Sequence, residues 1–183
     1  MIMSFFRKDP KHDLAQKIYG KIVDQARNPW FYAECSVPDT PEGRFELLTI
    51  HVYLVLQRLK GETKEARDLS QKIFDAFFEN LDGSLREMGV GDLTVGKKIR
   101  ALAEAFYGRV GAYELAMEDE DRGALPKALS KNVFGTEHAP GAGGIADYLK
   151  RAKSSIDAAS LEKVMTGDFA FAPVQLEERE ENA

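Results

Sequence analysis

The chain has 183 residues, of which 44% are hydrophobic, and this length and composition predict a single domain with one sizeable core. Its 25 basic and 30 acidic residues give a formal net charge of -5, which argues against a long phosphate-binding surface, so no direct nucleic-acid partner is expected. The single cysteine, Cys35, excludes an internal disulfide and fits a reducing compartment.

The two most apolar stretches are too short to export or anchor the chain. Residues 1–6 are fewer than the hydrophobic region of a signal peptide requires, and Leu47 to Leu56 falls short of a membrane-spanning helix. We therefore expect a soluble, cytoplasmic protein with an N-terminal tail over residues 1–8. A frayed terminus is the preferred interpretation of this tail, but its apolar and basic residues also suit peripheral contact with the inner face of the cytoplasmic membrane.

The chain begins with a predicted helix followed by an aromatic run. Asp9 and Pro10 suit a helix start, and the helix should end near Asn28-Pro29 because a residue before proline disfavours the helical conformation. Trp30, Phe31 and Tyr32 then lie in a connecting segment. Three consecutive aromatic residues are typical of a plug packed on a helical bundle, and this interpretation is preferred to a ligand site.

The second predicted helix is the most apolar element of the chain. Thr40 and Pro41 suit its N-cap and first position, and Gly61 ends it. Apolar residues occur on most of its sides, so we expect it to be largely buried. Its polar side chains, among them Glu46 and Thr49, form only a narrow stripe.

Three further helices are predicted before residue 118. Thr63 begins a third helix with one charged face, and Asp82 caps a separate short helix that runs through Met88. Thr94 caps a long helix whose core face repeats near every 3.6 residues. Gly108 and Gly111 lie inside that helix, where glycine is unfavourable, so we expect another helix to cross closely there.

The last third of the chain predicts shorter helices over residues 124–134, 145–156 and 160–165, the last capped by Asp157 or Ser160. Residues 136–144 form a glycine-rich loop, and residues 173–183 an acidic flexible tail. The periodicities together predict an all-α fold, a single-domain bundle of about six to eight helices over residues 9–172 without significant β-sheet.

Two segments invite an enzymatic interpretation. Gly91 to Lys97 has the glycine spacing and lysine of a phosphate-binding loop, but Lys98 replaces the required Ser or Thr and no strand is predicted before it. Tight-turn glycines are therefore preferred to a nucleotide site. Cys35 and His51 could act as nucleophile and base, yet His51 lies in an apolar helix and is better explained as a hydrogen-bonded core histidine.

The three histidines do not form the pattern of a metal site. His12, His51 and His138 are scattered without a ligand pattern, so neither a metal nor a cofactor is expected. Arg44, His51 and Arg58 are seven residues apart along one side of the second helix, where a half-exposed edge is preferred to a binding stripe.

A group of charges surrounds the start of the long helix. It consists of Arg86, Asp92, Lys97, Lys98, Arg100 and Arg109. In an acidic protein this group suits docking to an acidic loop of a partner or to membrane phosphates. Internal ion pairing that fixes a glycine-rich turn explains it equally well, and the sequence does not separate these two hypotheses.

Several motifs resemble the signature of the ubiquinol-cytochrome c chaperone family. They are Val37-Pro38-Asp39-Thr40-Pro41-Glu42-Gly43-Arg44-Phe45-Glu46-Leu47, then Asp75, Phe77 and Phe78, then Leu85 to Asp92, Phe106 to Arg109 with Tyr113, and Asn132-Val133. The resemblance implies a non-catalytic chaperone that binds newly made cytochrome b and assists assembly of the ubiquinol-cytochrome c reductase complex. A contact with the ribosome and a second, small partner protein stay open.

Such a function requires a reversible surface for an apolar client, and residue character suggests which side chains form it. The candidates for the groove are Trp30, Phe31, Tyr32, Met88 and Tyr107, with a charged rim of Arg44, Arg86, Asp92, Lys97, Lys98, Arg100 and Arg109. The competing hypotheses are a small-molecule or nucleotide-binding enzyme that uses the Gly89 to Lys97 turn, and a helical scaffold with an unrelated partner.

Overall fold

The computed structural model describes residues 10–175, which form eight α-helices and no strand. The helices are α1 (Pro10–Ala26), α2 (Pro29–Ala33), α3 (Pro41–Leu59), α4 (Lys64–Glu87), α5 (Asp92–Glu118), α6 (Ala124–Phe134), α7 (Pro140–Ala158) and α8 (Leu161–Thr166). The predicted all-α fold is confirmed. The predictions for residues 1–9 and 176–183, including the Asp9 cap, the apolar N-terminal foot and most of the acidic tail, lie outside the described residues.

Side-chain caps fix the starts of several helices as the sequence predicts. The Thr40 hydroxyl accepts a hydrogen bond from the Gly43 amide, and the Thr63 and Ser160 side chains cap α4 and α8 in the same way. Each cap satisfies one of the amides that a helix leaves unpaired at its N-terminus. Among residues 10–175, no helix combines the length and hydropathy that crossing a membrane requires.

Helix α3 is the centre of the bundle. It packs against α1, α4, α5, α6, α7 and α8, and most of its side chains are buried. The predicted polar stripe is wrong at Glu46 and Thr49, because both face neighbouring helices and are buried. Glu46 is paired with Arg109 of α5, whereas the Thr49 hydroxyl has no hydrogen-bond partner among residues 10–175.

Two predictions for the α4–α5 region are wrong. Helix α4 is continuous through Gly83 to Glu87, because Asp82 forms an ion pair with Arg86 one turn later and does not cap a new helix. Helix α5 begins at Asp92, after Gly91, so Thr94 lies inside it and is not its cap.

The glycines also act differently from the prediction. A Cβ atom at Gly108 or Gly111 would meet nothing within 4 Å, so no helix crosses closely there. The close contact lies at Gly141 instead, where a Cβ would overlap the carbonyl oxygen of Cys35. Residues 140–144, predicted as part of a loop, form the start of α7, and Gly141 lets it approach the segment that follows α2.

Candidate functional site

The most exposed large apolar side chains all belong to α5 or to the turn before it. Within residues 10–175 they are Met88, Leu93, Tyr107 and Leu115, with 55%, 94%, 63% and 73% of their surface exposed. Met88 precedes α5, and the other three belong to it. Isolated exposed apolar residues are normal in proteins, but three of them on one helix make α5 the candidate interaction surface.

The helical repeat places these residues of α5 on one side. Leu93, Lys97, Arg100, Glu104, Tyr107 and Leu115 fall on a common face, opposite the buried Val95, Phe106 and Tyr113. We call this set the outer face of α5. The helix therefore has one apolar side packed in the bundle and one solvent-facing side on which three apolar residues alternate with charged residues.

Aromatic rings support the middle of the outer face. The Tyr107 ring lies 5.9 Å from the Phe74 ring and 5.6 Å from the Phe106 ring, measured between centroids. Phe74 is half-buried and also contacts Phe78 at 4.6 Å. Packing on several rings holds Tyr107 in place and presents a pre-ordered apolar patch to a partner.

The charges near the start of α5 divide into two sets. Arg86 pairs with Asp82 and Asp92, as internal ion pairing predicts, although all three are at the surface. Lys97, Lys98 and Arg100 are exposed, and none of them meets a carboxylate within residues 10–175. These three cations are therefore accessible to an anionic ligand or surface.

Arg109 differs from the other cations because it is half-buried and pairs with a buried carboxylate. Its Nε lies 2.8 Å from Oε1 and 2.9 Å from Oε2 of Glu46 on α3, and a terminal guanidinium nitrogen is 2.7 Å from Oε1. Burial raises the pKa of the Glu46 carboxyl, even though the guanidinium favours its charged form. Arg109 therefore neutralises a buried carboxylate, and because its side chain stays partly exposed, its role as a rim charge stays a prediction.

The aromatic run of the first connecting segment forms the short helix α2. Phe31 is fully buried, with its ring 5.3 Å from Trp30, 5.5 Å from His51 and 5.1 Å from Tyr148. The structure thus places Phe31 in the core, and it does not line an accessible groove. Trp30 and Tyr32 are half-buried and keep an accessible edge.

The arginine at the start of α3 lies beside this aromatic segment. Arg44 is exposed and its Nε donates to Oδ1 of Asp39 at 2.7 Å. Both residues and Tyr32 line a shallow depression together with Arg27, Pro29 and Ala33. The predicted edge through Arg44, His51 and Arg58 is wrong, because His51 is fully buried.

His51 is the hydrogen-bonded core histidine that the sequence predicts. Its Nδ1 lies 2.7 Å from the Leu47 carbonyl oxygen, which only accepts, so Nδ1 carries the proton. Nε2 then accepts from the Tyr148 hydroxyl at 2.8 Å, and that oxygen accepts from Gln25 at 3.0 Å. Burial lowers the pKa of His51 to about 4, so the ring is neutral near pH 7.

The segment from Gly91 to Lys97 lacks the geometry of a phosphate-binding loop. It is helical from Asp92 onward, and α4 precedes it where such a loop follows a strand. The amides of Thr94 and Val95 donate to the Gly91 carbonyl, which is the bonding of a helix's first turn. Of the glycines predicted to form a tight turn, Gly91 precedes the helix as expected, but Gly96 lies inside α5.

Sequence reasoning missed Leu93 and Leu115. The sequence does contain a signal that could have identified them. The helical repeat places both leucines on the side opposite the predicted core face of the long helix. An apolar residue that remains outside an otherwise complete core face marks a second contact side.

The sequence and the fold both match known proteins. Residues 33–171 match the family described as Ubiquinol-cytochrome C chaperone. A crystal structure described as that of the Cbp3 homolog from Brucella abortus is similar with a TM-score of 0.83 and 40% identity, covering 95% of this chain and 98% of that one.

Two curated relatives share the name ubiquinol-cytochrome c reductase complex assembly factor 1. The Xenopus laevis protein is 27% identical over 120 residues, which are 66% of this chain and 60% of the relative. The Homo sapiens protein is 23% identical over 163 residues, 87% of this chain and 54% of the relative. The chain thus spans less than two thirds of these relatives, but the family match covers most of its own length. It therefore belongs to the ubiquinol-cytochrome C chaperone family.

Proposed function

We propose that this protein is a non-catalytic chaperone that binds newly made cytochrome b and assists assembly of the ubiquinol-cytochrome c reductase complex. Family membership and the names of the curated relatives support the assembly role. The observation that carries the choice of surface is the exposure of Tyr107 and Leu115 on one side of α5. An immature membrane subunit exposes apolar segments, and such segments bind to an accessible apolar face.

The client surface in this proposal is the part of the outer face that contains Tyr107 and Leu115. Tyr107 is supported by Phe74 and Phe106, so its ring is ordered before a client arrives. Leu115 lies two helical turns further along the same side. An aromatic anchor beside an aliphatic one is the composition that concentrates binding energy at protein interfaces.

Trp30, Tyr32 and Arg44 define the competing surface. They lie at α2 and the start of α3, where the depression lined by Tyr32 and Arg44 is accessible. Their aromatic surface is smaller, because Trp30 and Tyr32 are half-buried and Phe31 is in the core. We therefore place the client on α5.

Co-purification tests this function and separates the two surfaces. The tagged protein would be recovered from detergent-solubilised membranes, and cytochrome b would be measured by immunoblot and by its haem spectrum. We expect cytochrome b with the wild type, a loss of about tenfold for Tyr107→Ser combined with Leu115→Ser, and near wild-type recovery for Tyr32→Ser. Circular dichroism would verify that each variant is folded.

The outcomes distinguish function from surface. Recovery of unrelated proteins without cytochrome b from the wild type would contradict the proposed client. If Tyr32→Ser lost cytochrome b while the α5 variant retained it, the client would be correct and its surface would be the depression at α2. Normal amounts of the assembled reductase in cells that lack the protein would contradict the assembly role.

A further inference from the structure

We infer that the end of the molecule at the α4–α5 turn binds the surface of an anionic lipid bilayer. This end, the hairpin tip, consists of Met88, Leu93, Lys97, Lys98 and Arg100. The inference goes beyond the proposed function, because the ligand is lipid and the residues differ from Tyr107 and Leu115. It depends on exposure, on helix geometry and on the distribution of charge.

The hairpin tip projects away from the core. The last buried residue of α4 is Phe77, yet the helix continues to Glu87. On α5, only Val95 is buried before Phe106. The two helices therefore carry Met88 and Leu93 beyond the main body of the bundle.

The exposure of Leu93 favours insertion into a lipid bilayer over binding to a folded protein. With 94% of its surface exposed, Leu93 has almost no protein around it and offers no pocket wall against which a partner's side chain could pack. Specific protein interfaces bury their anchors in pockets with high complementarity. A lone projecting leucine beside an exposed methionine is instead the kind of group that inserts between lipid headgroups.

Basic residues follow Leu93 within the first three turns of α5. Lys97 and Arg100 follow Leu93 by four and seven residues, so they share its helix face, whereas Lys98 is exposed on the side of the helix that carries Arg109. None of the three is paired within residues 10–175, whereas Arg86 and Asp92 bind each other. Residues 85–100 carry four basic and two acidic side chains in a chain whose net charge is -5. Apolar insertion combined with basic contacts to phosphate is characteristic of reversible binding to anionic membranes.

Vesicle flotation of the purified full-length protein tests this inference. The probes would be vesicles of phosphatidylcholine alone and of phosphatidylcholine with phosphatidylglycerol. We expect binding to the anionic vesicles that weakens as salt increases. Leu93→Asp, and separately Lys97→Glu combined with Lys98→Glu, should each reduce the partition coefficient by about tenfold or more.

Leu115→Asp is the matched control, since it makes the same substitution on the same helix face at a distance from the tip. We expect this variant to bind anionic vesicles like the wild type and to lose cytochrome b in co-purification. The two readouts therefore keep a failure of the lipid site separate from a failure of the client site. Circular dichroism would establish that the variants are equally helical.

Three results would overturn the inference. The first is absence of wild-type binding to anionic vesicles. The second is unchanged vesicle binding by Leu93→Asp together with loss of cytochrome b, which would make the tip a protein-docking surface. The third is retention of binding by Leu93→Asp and its loss in Phe5→Ser combined with Phe6→Ser, which would assign the lipid contact to the N-terminal segment.

Discussion

Helices α3 and α5 are both long and rich in apolar residues, yet their environments are opposite. Helix α3 has 12 buried residues among 19, because other helices surround it. Helix α5 has three buried residues among 27, and it contacts the bundle on one side. The comparison shows that apolar composition does not by itself identify the core. In α3 even polar side chains are buried, whereas in α5 leucine and tyrosine side chains face solvent.

Matched leucine substitutions should show the largest difference between the two helices. Leu47 on α3 is fully buried and Leu93 on α5 is nearly fully exposed. We expect Leu47→Ala to reduce the free energy of unfolding by about 2–5 kcal/mol, and Leu93→Ala to change it by less than about 0.5 kcal/mol. Urea unfolding followed by circular dichroism measures both. Equal losses would mean that Leu93 is part of a packed core.

The buried histidine of α3 should make stability depend on pH. In the unfolded chain His51 binds a proton as the pH falls below 6.5, but in the folded state it stays neutral until about pH 4. Stability from this group is therefore complete above pH 6.5 and is lost toward pH 4, by on the order of 3 kcal/mol.

The test compares unfolding free energies of the wild type and His51→Gln across this pH range. The variant should show a shallower loss on acidification. His12→Gln is the control for removing an imidazole elsewhere, because His12 is exposed on α1. Identical pH profiles for wild type and His51→Gln would refute the neutral buried imidazole.

The ion pair that joins the two helices should have an intermediate effect. Arg109→Gln leaves the buried Glu46 carboxylate without its cation, so we expect a loss on the order of 2–3 kcal/mol, below the range for fully buried pairs because Arg109 is partly exposed. Lys98→Gln is the control, and as an unpaired surface change it should alter stability by less than about 0.5 kcal/mol. Chemical denaturation at pH 7 provides both values, and equal effects would place Arg109 among the surface cations.

Glycine substitutions in α5 should have the smallest effect, and it should be favourable. Nothing lies within 4 Å of a Cβ at Gly108, so Gly108→Ala should stabilise the protein by up to about 1 kcal/mol through helix propensity. Gly111→Ala should behave alike. A decrease in melting temperature for either variant would indicate that a neighbouring helix does pack against these positions.

The sequence predicted those parts of the fold that depend on local signals. The caps at Thr40, Thr63 and Ser160 are confirmed, because a hydroxyl before an apolar repeat acts within one turn. Asp82 misled the prediction because the same residue type can cap a helix or pair with Arg86 at the next turn. Only the structure decides between these two uses.

The surface residues depended on long-range contacts and were harder to predict. Arg109 and Glu46 are separated by 63 residues, and nothing near either of them in the sequence indicates the pair. Phe31 resembled Tyr107 as an aromatic candidate, but it is buried by Tyr148 from the other end of the chain. Lys97, Lys98 and Arg100 stay accessible, and their role in binding stays a prediction.

The length of α5 gives the protein a fixed spacing. Leu93 and Leu115 are 22 residues apart on one uninterrupted helix, which corresponds to about 33 Å along its axis. A rigid helix of this length keeps a lipid surface bound at Leu93 at a constant distance from a client bound at Leu115. Inserting a whole number of helical turns between the two leucines would increase their separation and keep both on the same face of the helix.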